Sequence, residues 1–190
     1  MSIEKYVTEG LILKKYEQGE NDLTFKVFTF EFGIIFVLAK SIRKINAKLR
    51  MQMQVYHFVK LTLVRGREVW RLTGASEIIF KTNNKIEKIE NVVIISECLN
   101  RFLPSEKPHQ IIFEKLKDIL SLEKIYLNDF RTLVYYVVLV DTGYADCKVI
   151  GVQNIEEYKS FKAADLQTYF ILNEKEVKFH IKKVLSESML

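Results

Sequence analysis

Over the first eighty residues apolar side chains recur at every second position, and beyond residue 86 they recur every third or fourth. This change of period divides the chain. "YVTEGLILKKY" (6–16), "LTFKVFTFEF" (23–32), "IIFVLAK" (34–40), "VYHFVKLTLV" (55–64) and "VWRLTGASEIIF" (69–80) alternate and are rich in β-branched and aromatic residues. Such runs predict strands. "GEND" (19–22), Gly33 and "RGRE" (65–68) supply the turns between them. Five or six strands in so short a span, with no helix between them, predict a small closed antiparallel barrel, since closure removes unpaired edges. An OB-type barrel fits, and another small barrel would show the same alternation.

In the second half, Ile86, Ile89, Val92, Val93, Leu99, Phe102 and Leu103 keep helical spacing until Pro104 stops it. A second helix is expected over 105–122, with Pro108 near its first turn and Ile112, Leu116, Ile119 and Leu120 on one face. Residues 128–144 are apolar almost all round and end at Gly143, as a buried central helix would. Asn173 with Glu176 resembles a capping box opening a last helix to about Ser186. Residues 145–172 show no clear period. The expected fold is α+β: an N-terminal OB-type antiparallel barrel (1–80) followed by an all-α helical domain (86–190), the boundary falling in "KTNNK" (81–85).

Charge sharpens this division. Residues 1–80 carry thirteen Lys or Arg against eight Asp or Glu, whereas 81–190 carry sixteen of each, so the whole excess of +5 lies in the first half. A basic binding module joined to a neutral one is expected. The excess concentrates in "AKSIRKINAKLR" (39–50), which holds Lys40, Arg43, Lys44, Lys48 and Arg50 and no acid. A loop that is only solvated usually mixes signs. Lys14 and Lys15 on the first strand, and Arg65, Arg67 and Arg71 around the hairpin, extend the basic set. Tyr16, Tyr56, Phe58 and Trp70 are aromatics that could stack on bases, and Tyr16 and Trp70 are chosen from them. If the barrel closes, loop and hairpin could form one groove. Five phosphate contacts from the loop would give a single-strand salt slope of roughly −3.5.

Catalytic signatures are missing: no nucleotide-binding loop, nucleophile elbow or HExxH pair occurs, and His57, His109 and His180 are scattered. No enzyme activity, metal or other cofactor is expected. Two cysteines, Cys98 and Cys147, make neither a disulfide framework nor a zinc site. The opening "MSIEKYVTEG" lacks a leader pattern and the apolar run "LVYYVVLV" (133–140) is too short to span a bilayer, so a cytoplasmic protein without membrane contact is expected.

The order of motifs resembles the RecO family of recombination mediators. "TEGLILKKYEQGENDLTFKVFTFEFGIIFVLAKSIRKINAKLR" (8–50) is similar to that family's opening, "LVRGREVWRLTGASEI" (63–78) to its hairpin and next strand, and "FRTLVYYVVLVDTGYADCKVIG" (130–151) to the helix leading into its zinc segment. The tail "FHIKKVLSESML" (179–190) is weakly similar to the usual end. Zinc-bearing members have CxxC where this chain has Cys147 and Ile150, and no later Cys pair follows. The resemblance implies an OB barrel and a helical domain. It also implies binding to single- and double-stranded DNA, annealing of complementary strands, and work with RecR to place RecA on coated single strands. In the family the helical part takes the tail of single-strand-binding protein. Lys40, Arg43, Lys44, Lys48 and Arg50 stand where the family's basic loop stands. The competing reading is a barrel that serves as a protein-interaction scaffold without DNA binding, its basic face meeting an acidic peptide; RNA is a third possible ligand.

Overall fold

The computed structural model describes residues 4–44, 49–79, 85–104, 106–122 and 130–187. The expected boundary at 81–85 and Lys48 of the basic loop fall outside these residues, apart from the backbone of Lys85. The chain forms two compact units, one of Met1–Ile79 with Leu103–Gln110 and one of Phe80–Phe102 with Ile111–Leu190.

The first unit is a closed five-stranded barrel in the order β1-β2-β3-β5-β4, followed in the chain by helices. Its strands are β1 (Lys5–Gln18), β2 (Asp22–Thr29), β3 (Gly33–Ala39), β4 (Phe58–Arg65) and β5 (Trp70–Glu77). All pairs are antiparallel except β3–β5, which closes the barrel in parallel through Val37↔Trp70 and Leu38↔Arg71. Alternation sets which side chains enter the core: Ile12, Val27 and Ile35 form one inward row, and Phe25, Val37 and Trp70 the next. β1 serves two neighbours, pairing with β4 over Lys5–Leu11 and with β2 over Gly10–Gln18. It turns that corner at Gly10, where a Cβ would lie 2.7 Å from Val27 Cγ1. A register shift between Ile12 and Lys14 marks a bulge just beyond.

β2 ends earlier than its alternation suggests. The buried Thr29 hydroxyl donates to the Gly33 carbonyl (2.8 Å) and accepts from Phe32 N–H (3.1 Å), folding 30–32 into a turn. β4 likewise starts three residues later than expected, at Phe58. Glu106 and Lys107 lie against this turn, with Glu106 N–H donating to Ile34 O at 3.0 Å.

The second unit contains α1 (Lys85–Phe102), α2 (Gln110–Ser121), α3 (Phe130–Asp141), a 3₁₀ turn (Cys147–Ile150), α4 (Ile155–Ser160), α5 (Ala163–Leu172) and α6 (Glu174–Glu187). Eight of the twelve residues of α3 are buried, as its unbroken apolar run requires. The unreadable stretch holds α4 and α5, each started by short capping contacts. Asn154 Oδ1 accepts from Glu157 N–H (2.9 Å) while Glu157 Oε2 accepts from Gln153 N–H (2.8 Å), and Asp165 accepts from Lys162 N–H (3.0 Å). Asn173 donates its amide to the carbonyls of Tyr169 (2.9 Å) and Ile150 (3.2 Å), tying the end of α5 to the 3₁₀ turn.

Lys115 is buried in this unit, and its ammonium donates to Tyr158 O (2.9 Å) and Phe161 O (3.1 Å) at the end of α4. Nearby, burial pushes the Asp141 carboxyl up to about 6, with Lys115 and Lys159 partly opposing the shift. A carboxyl raised on folding contributes stability that is complete below its ordinary value and lost as pH rises through about 6. Relative to Asp141→Asn, the native chain should therefore gain roughly 2 kcal/mol as pH falls from about 7 to about 4. Urea denaturation of both proteins along that series measures the difference, and parallel curves would rule the effect out.

Candidate nucleic-acid interface

Strand alternation sorts the basic residues into two faces at one end of the barrel. Lys14 is registered with Lys26, and Lys26 with Phe36, on the outer surface; the next outer row runs Tyr16, Thr24, Leu38, Arg71. Tyr16 and Phe36 are 39% and 40% exposed, with ring centroids 6.2 Å apart, and the Lys14 ammonium sits 5.2 Å from the Tyr16 ring centre. Burial, and then the charge of Lys14, hold the Lys26 ammonium below its usual range. Neither cause is an acid. This outer surface therefore carries two open aromatic rings framed by Lys14, Lys26 and Arg71, which is the chemistry of a platform for unstacked bases along a phosphate chain.

Lys15 points the other way. It is registered with Phe25 on the inner side and, with Arg43 and Arg50, lines a cleft of about 870 Å³ at the barrel mouth. The basic connection reaches this place because it is pinned. Ile42 and Met53 enter the core, Leu49 and Val55 pack on it, Ser41 N–H donates to Asp22 Oδ1 (2.6 Å), and Arg43 N–H donates to Asn21 O (3.0 Å). Lys40, Arg43, Lys44 and Arg50 are exposed along it.

The hairpin lies elsewhere. Because β5 runs parallel to β3, the turn before Trp70 projects toward the start of β3, whereas the basic connection leaves from its end. Arg65 and Arg67 are exposed at that turn, so among the described residues loop and hairpin do not share one groove; of the three hairpin arginines Arg71 joins the loop side. Trp70 also needs correction as a stacking residue. It shares the inward row of Val37, is 8% exposed, and has Phe32 at 4.6 Å, Tyr6 at 5.3 Å and the Arg65 guanidinium at 5.5 Å from its ring. Phe58 is buried as well, while Tyr56 stays at the surface. Sequence reading missed Lys26 and Phe36. The signal was there: once Phe25, Val27, Ile35 and Val37 face inward, alternation turns both residues outward.

Comparison with known proteins bears on this barrel directly. The family model described as Recombination protein O N terminal matches residues 1–95. The chain belongs to the RecO family. DNA repair protein RecO of Dehalococcoides mccartyi strain 195 is 26% identical over 118 residues, covering 61% of this chain and 47% of its own. The RecO of Desulforamulus reducens is 23% identical over 163 residues (82% of this chain, 64% of its own), and that of Nostoc sp. PCC 7120 is 29% identical over 136 residues (68% and 45%). This RecO-family chain thus spans about half to two thirds of the length of these relatives.

Cys147 and Ile150, the two positions the resemblance sets against a CxxC, are both buried, at the two ends of the 3₁₀ turn. Among the described residues no group of three or more His, Cys, Asp or Glu is placed to hold a metal ion. Burial pushes the Cys98 thiol up to about 12, so it stays protonated and unreactive at neutral pH. Among the described residues no helix is long and apolar enough to cross a membrane.

Proposed function

We propose that this RecO-family chain acts in DNA repair and recombination as a mediator, binding single- and double-stranded DNA on the barrel and annealing complementary strands. It works with RecR to place RecA on single strands coated by single-strand-binding protein. The barrel unit, Met1–Ile79 with Leu103–Gln110, serves as the nucleic-acid module, and contact with the tail of single-strand-binding protein belongs on the helical unit. No bond-breaking step is involved. Family membership and the names of the relatives support the role. The observation that carries DNA binding is the exposed Tyr16–Phe36 pair framed by Lys14, Lys26 and Arg71, next to the pinned connection with Lys40, Arg43, Lys44 and Arg50. Lys48 belongs to the same set by sequence.

Rings on this platform hold bases while the cations hold backbone. The test is fluorescence anisotropy of a labelled single-stranded oligonucleotide over a salt series. Tyr16→Ala with Phe36→Ala should weaken binding by about tenfold or more, from about 1–3 kcal/mol per stacked base, with little change of salt slope. Loss of slope with unchanged affinity would refute the stacking role. An acidic peptide that binds where no oligonucleotide does, even at low salt, would establish the scaffold reading instead. Tighter binding to RNA than to DNA would move the ligand class.

A further inference from the structure

The mouth cleft differs from the outer platform in shape and charge. Leu23 and Met51, the latter 77% exposed at the lip, are its open apolar residues, over a floor of the core side chains Phe25, Ile42 and Met53. Its ionic side is Lys15, Arg43 and Arg50 against one carboxylate, Glu17, whose Oε2 lies 3.5 Å from an Arg43 terminal nitrogen. Gln54 Nε2 donates to Arg50 O at 2.6 Å, which fixes the backbone that presents Arg50. At about 870 Å³ the cleft is large enough to admit a nucleotide, and its lining is about as polar as it is apolar.

The charge balance selects among anions. Three cations and one carboxylate leave two positive charges in the lining. A backbone diester or a peptide carboxylate brings a single negative charge, whereas a phosphomonoester brings about −1.5 to −2 at pH 7. Arginine forks suit a phosphate that offers several oxygens. The apolar wall asks for a flat or apolar body beside that phosphate. Glu17 meanwhile lies beside Arg43, well exposed to solvent.

We propose that the mouth cleft is a phosphomonoester site that takes a nucleoside 5′-phosphate, its base against Leu23 and Met51 and its phosphate between Arg43 and Arg50. The same chemistry can come from a free nucleotide or from the 5′-phosphorylated end of a strand. Arg43 and Arg50 also belong to the proposed strand-binding interface, so this site rests on that reading and goes beyond it in distinguishing a terminal phosphate from the backbone diesters.

The experiment compares short single strands with a 5′-phosphate or a 5′-hydroxyl, labelled at the other end, on the full chain. The phosphorylated strand should bind about tenfold tighter, from one added set of charge-assisted bonds. That gain should shrink as pH falls below about 6, where the phosphate loses its second charge. It should vanish in Arg43→Ala with Arg50→Ala, variants whose folding is checked by circular dichroism, and grow in the exposed Glu17→Gln. Deoxyadenosine monophosphate added as competitor separates the two sources. If it abolishes the gain at concentrations where deoxyadenosine does not, free nucleotides are ligands; if it leaves the gain intact, the site reads strand ends. Equal binding of both strands with a steep salt slope, and no binding of the monophosphate, would overturn this site and leave DNA binding untouched. Competition by inorganic phosphate equal to that of the nucleotide would also overturn it, because the apolar wall would then have no role.

Discussion

A chain carrying Arg43→Glu, Lys44→Glu and Arg50→Glu should lose most of its single-strand affinity and much of its salt dependence. Each phosphate contact contributes about 0.7 to the slope of log K against log salt, so removing three flattens it by roughly 2. Referred to 1 M salt, that is about 50-fold in affinity at 0.15 M, and the new negative charges enlarge the loss. The argument depends on how the connection is held. Its apolar anchors Ile42 and Met53 and its two backbone ties, Ser41 N–H to Asp22 and Arg43 N–H to Asn21, are untouched by the substitutions. The charges therefore reverse on a scaffold that keeps its shape, which an unchanged thermal melt would verify. Anisotropy over a salt series is the measurement. An unaltered slope would remove the connection from the interface and leave the outer platform as the sole ground for binding.

The largest stability effect is expected at Gly33. Its φ of +66° is a left-handed conformation, and an added Cβ would lie 2.1 Å from the Lys107 carbonyl oxygen. The conformation costs an L-residue about 1–2 kcal/mol. Relief of the clash requires 103–110 to retreat, which strains the packing by about 1–3 kcal/mol and threatens the bond from Glu106 N–H to Ile34 O. Gly33→Ala should thus lower unfolding stability by about 2–5 kcal/mol, a large share of the usual total. Gly19 is a built-in control. Its φ is +62° but nothing lies within 4 Å of the added carbon, so Gly19→Ala should show the conformational part alone. Chemical denaturation of both variants gives the two values. Equal losses would mean that the 103–110 segment yields without cost.

The barrel strands, α2 and α3 were legible from their apolar patterns: period two writes Phe25, Val27, Ile35 and Val37 into the sequence, Ile112, Leu116, Ile119 and Leu120 mark the buried face of α2, and an unbroken apolar run marks α3. The parallel closure of β3 on β5 left no such trace, since it is carried by two registered residue pairs. That closure is what divides the hairpin arginines from the loop, so the expected single groove could not be tested from spacing. Trp70 drew attention by standing beside Arg71, although its parity matches the core row of Val37. Lys14 and Lys15 looked like one basic spot, yet neighbours in a strand face opposite ways. The cleft could not be read at all, because residues from β1, β2 and the 40–57 connection meet there only after closure. α4 and α5 are short, and their order rests on single capping contacts such as that of Asn154 with Glu157 rather than on a periodic face.

The barrel unit is discontinuous in sequence: its strands end at Glu77, but 103–110, which meets Gly33, comes only after α1. On the ribosome, at about 5–20 residues per second, the last strand would wait a few seconds before that segment is even made. A nascent barrel in that interval has an uncovered seam at its β2–β3 turn, where a chaperone or another chain could lodge. It also follows that the unit is not a module to be cut at the end of its last strand. Grafted onto another protein or expressed alone, it should be carried through residue 110 to retain its own closing segment.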